Sequence, residues 1–524
     1  MAVGADVVPA RGALVGDPPV GAVTDETEVV PGASEVSGAD DVPGANEAPD
    51  GLLRELDLPP EHAPMMTAIN NSAGRWLRGV PIGPTLDSRP SKRAERGDRG
   101  NPSAGSALCR ESDLLPASVS RGGPGHDQRC VITFSTQARR SRLAVRHHLA
   151  PAARSDDVVA IAGDLVGLHA TDPATVFLAA GMRGHTVRPA DVERALYDDR
   201  AVVRMLGMRR TLFVVPADLV PVIAYGCTRA IARRERTKLV QHIETGGVAA
   251  DGAPWLRAIE AATLAALAGR GEATASELAV DVPELRTPVL VGEGKKWEAM
   301  QNVTTRVLSL LAADGNILRG RPRGSWTSTQ YRWAPTELWL GRAVEVMTTA
   351  DAQVELARRW LRSYGPASVD DLQWWTGWTK TEVRAALSRI APVDVDLDGV
   401  AGVVLADDLE PETPPEPWAA LLPALDPTVM GWSQRGWYLG ELGPALFDRS
   451  GNAGPTVWWD GRIVGGWGQR PDASVGYRVF DDIGGEGHVA VAAAAERLET
   501  WLDGVRITPR FRTPLERELA AETA

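Results

Sequence analysis

The dipeptide Asp172-Pro173 constrains this chain most, because it interrupts an apolar stretch, Asp164-Leu-Val-Gly-Leu-His-Ala-Thr-Asp-Pro-Ala-Thr-Val-Phe-Leu178, that would otherwise read as one helix. A residue before proline avoids the α region, and Asp followed by Pro suits the N-cap and first position of a new helix. Upstream, Val158, Ile161, Ala162, Leu165, Val166 and His169 recur at three- and four-residue steps, which predicts one helix face reaching His169. Downstream, Thr175 to Ala180 continues the second helix. The corner between them carries His169, Thr171 and Asp172. Residues two apart in a helix diverge by about 200°, so His169 and Thr171 can serve one ligand only if the backbone turns between them.

At 524 residues the chain is long enough for three or four units of about 150 residues. Its formal net charge of -12 argues against a polyanion partner until the charge is located. Residues 1–50 hold ten acids and one base, a balance of -9, which leaves only -3 for the other 474. Residues 1–130 are rich in Gly, Pro, Ala, Ser and Asp without a sustained period, and are expected to be a disordered tail dispensable for folding. The basic spot Arg89 to Arg99 within it reads as a solvated charge run. Cys109, Cys130 and Cys227 form no CxxC pair and are odd in number, so neither a disulfide framework nor a zinc site is expected, and a reducing cytoplasm fits. No apolar run approaches the roughly 20 residues of a membrane helix, and no export signal opens the chain. A soluble, unexported monomer without metal or cofactor is the expectation. GxSxG, HExxH and P-loop motifs are absent, which weakens a small-molecule hydrolase.

From Val131 onward the pattern is mainly helical α+β. Ser135 to His148 reads as a basic first helix, Arg188 to Leu196 as another, and Val202 to Leu206 with Thr211 to Val215 as two short strands. Between residues 200 and 242 nine bases face two acids, Asp218 and Glu235, an asymmetry that points to a polyanion. Two segments then repeat helix, turn, helix and hairpin. In the first, Trp255 to Leu267, the capping box Thr274-Ala-Ser-Glu277 and Asn302 to Ala313 give three helices. The hairpin after them, Ile317 to Trp333, holds Arg319, Arg321, Arg323 and Arg332 with no acid of its own, as a winged helix presents a basic wing to phosphates. Trp326 on that wing is a candidate for contact with a base or sugar. The second copy, Val354 to about Asp407, has capping boxes at Ser368 and Thr379 but an acidic hairpin, which suits a scaffold better than a groove binder. After the Pro-rich linker Glu410 to Pro417, strands alternate around Asp460-Gly461, a type I′ hairpin signal, and Ala490 to Leu502 closes the chain as a helix.

Gly167-Leu-His-Ala-Thr171, Met208-Arg-Arg-Thr-Leu-Phe213, Thr305-Arg-Val-Leu308 through Arg321-Pro-Arg-Gly-Ser-Trp326, Leu421-Leu-Pro-Ala-Leu-Asp426 and Gly454 through Trp467 together resemble the winged-helix DNA-binding family that includes the AlkZ/YcaQ-type DNA glycosylases. The resemblance implies tandem winged-helix units in a C-shape around double-stranded DNA, with a small β-rich C-terminal part. On that reading residues 131–245 form a first unit carrying the site, 246–345 a second with the basic wing, 346–410 a third, and 418–515 the β-rich part. It also implies a cytoplasmic, nucleoid-associated protein that hydrolyses the N-glycosidic bond of alkylated purines; the alternative is a DNA-binding protein without chemistry, a regulator or lesion binder. In glycosylase members the corner carries Gln-apolar-Gln or Gln-apolar-Asp, and those positions here are His169 and Thr171.

N-glycosidic hydrolysis passes through an oxocarbenium-like state, so a site needs a group that positions water and some negative charge near the sugar. Neutral His169 can accept from that water, Thr171 can hold it, and Asp172 can supply charge. A structural assignment suits the same residues: Asp172 as a cap, Thr171 as a local backbone partner and His169 as a buried side chain. Arg209, Arg210, Arg319, Arg321, Arg323, Trp326 and Arg332 are the expected DNA contacts.

Overall fold

The computed structural model describes residues 119–120 and 131–523, apart from 293 and 295–297. The expectations for the rest of the tail, including the Arg89 to Arg99 spot, Cys109 and Cys130, lie outside the described residues. The architecture is a mixed α+β fold with four small sheets among the described residues. Strand β1 (Val119–Ser120) pairs antiparallel with β2 (Val131–Thr133), so the described chain has a paired strand ahead of Val131, where the hydrophobic period begins.

The Thr136–Arg146 helix starts where Ser135 accepts from the Ala138 N–H. The next helix, Val158–Asp164, is shorter than its periodicity predicts. Val166 and Gly167 take φ of 52° and 113°, and the Gly167 N–H closes the helix on the Ala162 carbonyl at 2.8 Å. A Cβ on Gly167 would lie 2.9 Å from Val215 Cγ1, so a glycine is what lets the chain leave the helix here as β3 (Leu168–His169). His169 is therefore on a strand and not on a helix face. The period misled because Leu165 through Ala170 are all buried, and a fully buried stretch has no polar face to mark helix from strand.

Asp172 then caps the Pro173–Arg183 helix as the dipeptide predicts, and all eleven helical residues are buried. Strands β4 (Val202–Leu206) and β5 (Leu212–Pro216) form the expected hairpin, and β5 also pairs with β3. The long Arg229–Thr245 helix follows, then helices Gly252–Arg270 and Ala275–Asp281, the latter opened by the Thr274–Glu277 capping box. A hairpin of β6 (Pro288–Val291) and β7 (Ala299–Asn302), not anticipated from sequence, precedes the Thr304–Ala313 helix. The basic hairpin is β8 (Ile317–Pro322) with β9 (Tyr331–Pro335), and Arg319 of β8 pairs with Arg204 of β4. That pairing gives one five-stranded sheet ordered β3-β5-β4-β8-β9.

Helices Thr349–Tyr364, Val369–Thr376 and Lys380–Ile390 carry the two predicted capping boxes and lead to β10 (Val393–Asp396) and β11 (Ala401–Val404). Strand β10 runs parallel to β2, about 260 residues earlier in the chain. Strands β12 (Ala419–Leu422), β13 (Thr456–Trp459), β14 (Arg462–Gln469) and β15 (Val475–Val479) form an antiparallel sheet, turning at Asp460 and Gly461 with φ of 43° and 79°. Helices Gly484–Leu502 and Pro514–Ala521 follow.

One apolar core runs from Leu143 to Leu519, and a second gathers the helices between Leu239 and Leu311 with Trp333 of β9. The Pro173–Arg183 helix is pinned in the first by Arg183, whose guanidinium donates to both Asp426 carboxylate oxygens at 2.8 and 2.7 Å. The same group reaches the His147 and Ala179 carbonyls and the Thr428 hydroxyl, all within 3.0 Å. Among the described residues no helix is long and apolar enough to cross a membrane.

Candidate active site and nucleic-acid interface

The strand geometry of β3 fixes the corner. His169 sits opposite Phe213 in the β3–β5 ladder, and its ring lies 5.2 Å from the Phe213 ring, tilted by 57°. Ala170 extends the ladder by donating to the Leu212 carbonyl at 2.7 Å, and its own carbonyl accepts from Arg204 Nη1 at 3.0 Å. Arg204, 1 % exposed, thus clamps the peptide between His169 and Thr171. The strand ends at His169, and Thr171 lies two residues on, in the bend that leads to Asp172. Thr171 Oγ1 accepts from the Leu212 N–H at 3.4 Å, a long bond that leaves its hydroxyl proton free to donate.

The two ionisable candidates differ sharply. Asp172 is committed: Oδ1 accepts from the Ala174 N–H at 3.1 Å and Oδ2 from the Arg510 N–H at 2.9 Å. Burial raises its carboxyl pKa, against those two bonds and the Arg510 and Arg204 charges. His169 is uncommitted, with a fully enclosed Nδ1 that has no hydrogen-bond partner. Burial, reinforced by the Arg209 charge, lowers the imidazole pKa to about 3, so the ring is neutral at any physiological pH. It is only 3 % exposed, so a nucleotide that touches it must displace a neighbour.

The basic candidates are more engaged than the sequence suggests. The wing contains no acid, yet the fold supplies two: Arg321 pairs with Asp198 at 2.8 Å and Arg323 with Glu277 at 2.9 Å. These residues lie over 45 positions away in sequence, which is why the hairpin alone looked unpaired. Arg210 pairs with Glu235 at 3.0 Å. Arg319 lies 4.9 Å from the Trp333 ring centre, and Arg332 keeps a buried, unpartnered Nε. Trp326 is half-buried against Phe177 and Trp501, at ring distances of 4.9 and 5.9 Å, so the wing is anchored to the Pro173–Arg183 helix. Arg209 stacks over Trp374 at 3.9 Å.

The sequence profile described as DNA glycosylase AlkZ-like matches residues 162–501, a span that begins just before β3 and includes the corner. The chain belongs to the AlkZ-like DNA glycosylase family. Among solved structures, the DNA glycosylase AlkZ of Streptomyces sahachiroi shares its fold, with a TM-score of 0.56 at 20 % identity over 70 % of this chain and 97 % of that one. No curated protein sequence matches. For this AlkZ-like family member the assigned class of function is DNA glycosylase-like, within DNA repair.

Sequence reasoning missed the groups that hold the corner from afar. Arg510 caps Asp172 across 338 residues, and no local pattern announces such a contact. Arg204 was visible only as one base among nine. Its place on β4, opposite Val214 of β5, is what turns it toward the corner. Cys227 is buried, and burial pushes its thiol pKa up to about 12, so it is an inert core residue. Among the described residues no group of three or more His, Cys, Asp or Glu could hold a metal ion.

Proposed function

We propose that this protein binds double-stranded DNA as a cytoplasmic, nucleoid-associated monomer and hydrolyses the N-glycosidic bond of alkylated purines at the His169–Thr171 corner. The observation that carries this reading is His169: a buried, neutral imidazole whose Nδ1 has no partner, two residues before Thr171, whose hydroxyl accepts from the Leu212 N–H and keeps its own proton to donate. An imidazole serving the core alone would ordinarily have its nitrogens satisfied. With a pKa near 3 it does not hold the water's proton, which passes to solvent after the C–N bond breaks and water adds to the anomeric carbon, but it can orient that water by accepting from it. That suffices where the leaving base is already cationic and the transition state is oxocarbenium-like, because bond breaking then runs ahead of attack. Asp172 supplies negative charge from a fixed position behind the corner rather than acting as a base.

In this reading the helix-turn-helix and hairpin segments at 246–345 and 346–410 act as tandem winged-helix units beside the first, in a C-shape around the duplex. Arg209, Arg210, Arg319, Arg321, Arg323 and Arg332 contact phosphates, with Trp326 bracing the wing. The wing ion pairs do not prevent this: exposed pairs contribute only about 0–1 kcal/mol, and a phosphate can replace Asp198 or Glu277. A second reading, DNA binding without chemistry, is favoured by the 3 % exposure of His169 and the full commitment of Asp172.

Release of free base from an N7-alkylated duplex, followed from pH 5 to pH 8, tests the first reading. Because His169 stays neutral until the pH falls toward 3, its lone pair is available throughout that window and contributes no limb, and any fall toward the acid end belongs to Asp172, whose carboxyl pKa burial raises. A limb centred near 6.5, the ordinary histidine value, would mean a solvated imidazole acting as a true base and would contradict this role.

A further inference from the structure

The turn between β4 and β5 carries two arginines, of which Arg209 has no ion-pair partner among the described residues. Arg209 and Arg210 both take left-handed φ, of 51° and 66°, a conformation non-glycine residues rarely hold without a compensating reason. Arg210 pairs with Glu235. Arg209 instead lies across Gly377, where a Cβ would sit 3.3 Å from its Cγ, and places its guanidinium 3.9 Å from the Trp374 ring centre. Arg435, from a distant part of the chain, reaches the same ring at 4.9 Å. The two guanidinium carbons are therefore at most 8.8 Å apart, the sum of those distances.

Among the described residues neither forms an ion pair. Arg209 Nε and Nη1 are enclosed and unpartnered. Arg435 Nε donates to the Trp432 carbonyl at 2.8 Å, and its Nη2 lies 4.0 Å from Met430 Sδ. Against burial, Arg435 is favoured first by the Tyr438 hydroxyl, with which its side chain also hydrogen-bonds, and then by Asp371, whose Oδ1 already accepts from the Ser433 N–H and hydroxyl and the Gln434 N–H, and whose Oδ2 accepts from Ser368. Burial and the Arg435 charge lower the Arg209 pKa to about 9, the direction expected of cations held together without a counter-ion. Trp374 offers each cation a ring face but no net negative charge.

We infer that Arg209 and Arg435 form a seat for one DNA phosphate beside the His169 corner. The inference rests on the DNA-binding reading above. A phosphodiester is a monoanion whose oxygens accept charge-assisted bonds of roughly 2.8 Å, and it can bridge two guanidinium groups no more than 8.8 Å apart once the groups that enclose Arg209 Nε and Nη1 move aside. Arg209 lies in the turn just before Phe213, whose ring packs against His169, so a phosphate seated there would register the strand that presents its nucleotide to the corner.

The test is the salt dependence of binding by the full chain to an undamaged duplex, with Arg209→Gln, Arg435→Gln and the double variant. Each lost phosphate contact lowers the slope of log affinity against log salt by about 0.9. A shared phosphate predicts a fall of about 0.9 in either single variant and no further fall in the double, with affinity weakened roughly tenfold at low salt. Arg435→Lys, which keeps the charge, should retain most of the slope, and it keeps the test open should a Gln variant not fold. A double variant that falls by about 1.8 means two phosphates and overturns the shared seat. Unchanged slopes with a lowered melting temperature mean that both cations only stack on Trp374, and overturn it while leaving DNA binding intact. If no duplex binds at all, the DNA reading fails, and the seat is judged by inorganic phosphate at matched ionic strength. A rise in melting temperature that Arg435→Gln abolishes then supports it, and no rise overturns it.

Discussion

Asp426→Ala lowers the stability of the folded protein by about 3–5 kcal/mol in urea denaturation, the range for breaking a fully buried ion pair. Both Arg183 and Asp426 are completely buried, and their contact is bidentate, so removing the carboxylate leaves a guanidinium charge in the core with no counter-ion. The effect spreads because Asp426 also accepts from the Thr428 N–H at 2.9 Å, and Thr428 in turn bonds His147 at 2.8 Å. One carboxylate thus joins the Pro173–Arg183 helix, the end of the first helix and the loop after β12. Since that helix begins at Asp172, loosening it loosens the corner. The paired change Arg183→Met with Asp426→Leu removes both charges and should recover most of the loss. A cost below about 1 kcal/mol for Asp426→Ala would mean that water reaches the pair and that the helix is not held as described.

His169→Ala slows base release by about 10²-fold, the scale for losing a group that positions a reactant, while duplex affinity stays within a few-fold. His169→Phe separates chemistry from packing. It keeps a ring against Phe213 and removes the unpartnered Nδ1, so the variant should be at least as stable as the parent, because an apolar group costs less there than an unsatisfied polar one. It should still release no base above the level of His169→Ala. Parent-like release by His169→Phe would assign the imidazole to packing and remove it from the mechanism.

The features legible in the sequence were those written locally. The capping boxes at Thr274, Ser368 and Thr379 all form, as does the Asp172-Pro173 cap, because each needs only three or four consecutive residues to satisfy its own backbone groups. The Asp460-Gly461 turn is legible for the same reason, since its positive φ values select those residue types. His169, Thr171 and Asp172 were singled out as candidates from the break in the helical pattern, but the strand that carries His169 was not anticipated, because its neighbours are apolar on every side. The pairing of β10 with β2, the docking of β8 on β4 and the Arg510 bond to Asp172 all join residues more than a hundred positions apart. Such contacts are selected by the whole core rather than by any window of sequence, and they decide how the corner is held. The wing shows the same limit: its arginines were visible, whereas their pairing with Asp198 and Glu277 was not.

The account is tested most directly by counting abasic sites in a duplex carrying a single N7-methylguanine, incubated with stoichiometric wild-type protein beside an undamaged duplex and a His169→Ala control. It predicts abasic sites at the lesion alone, accumulating with wild-type protein and about a hundredfold more slowly with the control. Binding to both duplexes with no abasic sites beyond spontaneous loss, or equal release by the two proteins, would contradict it.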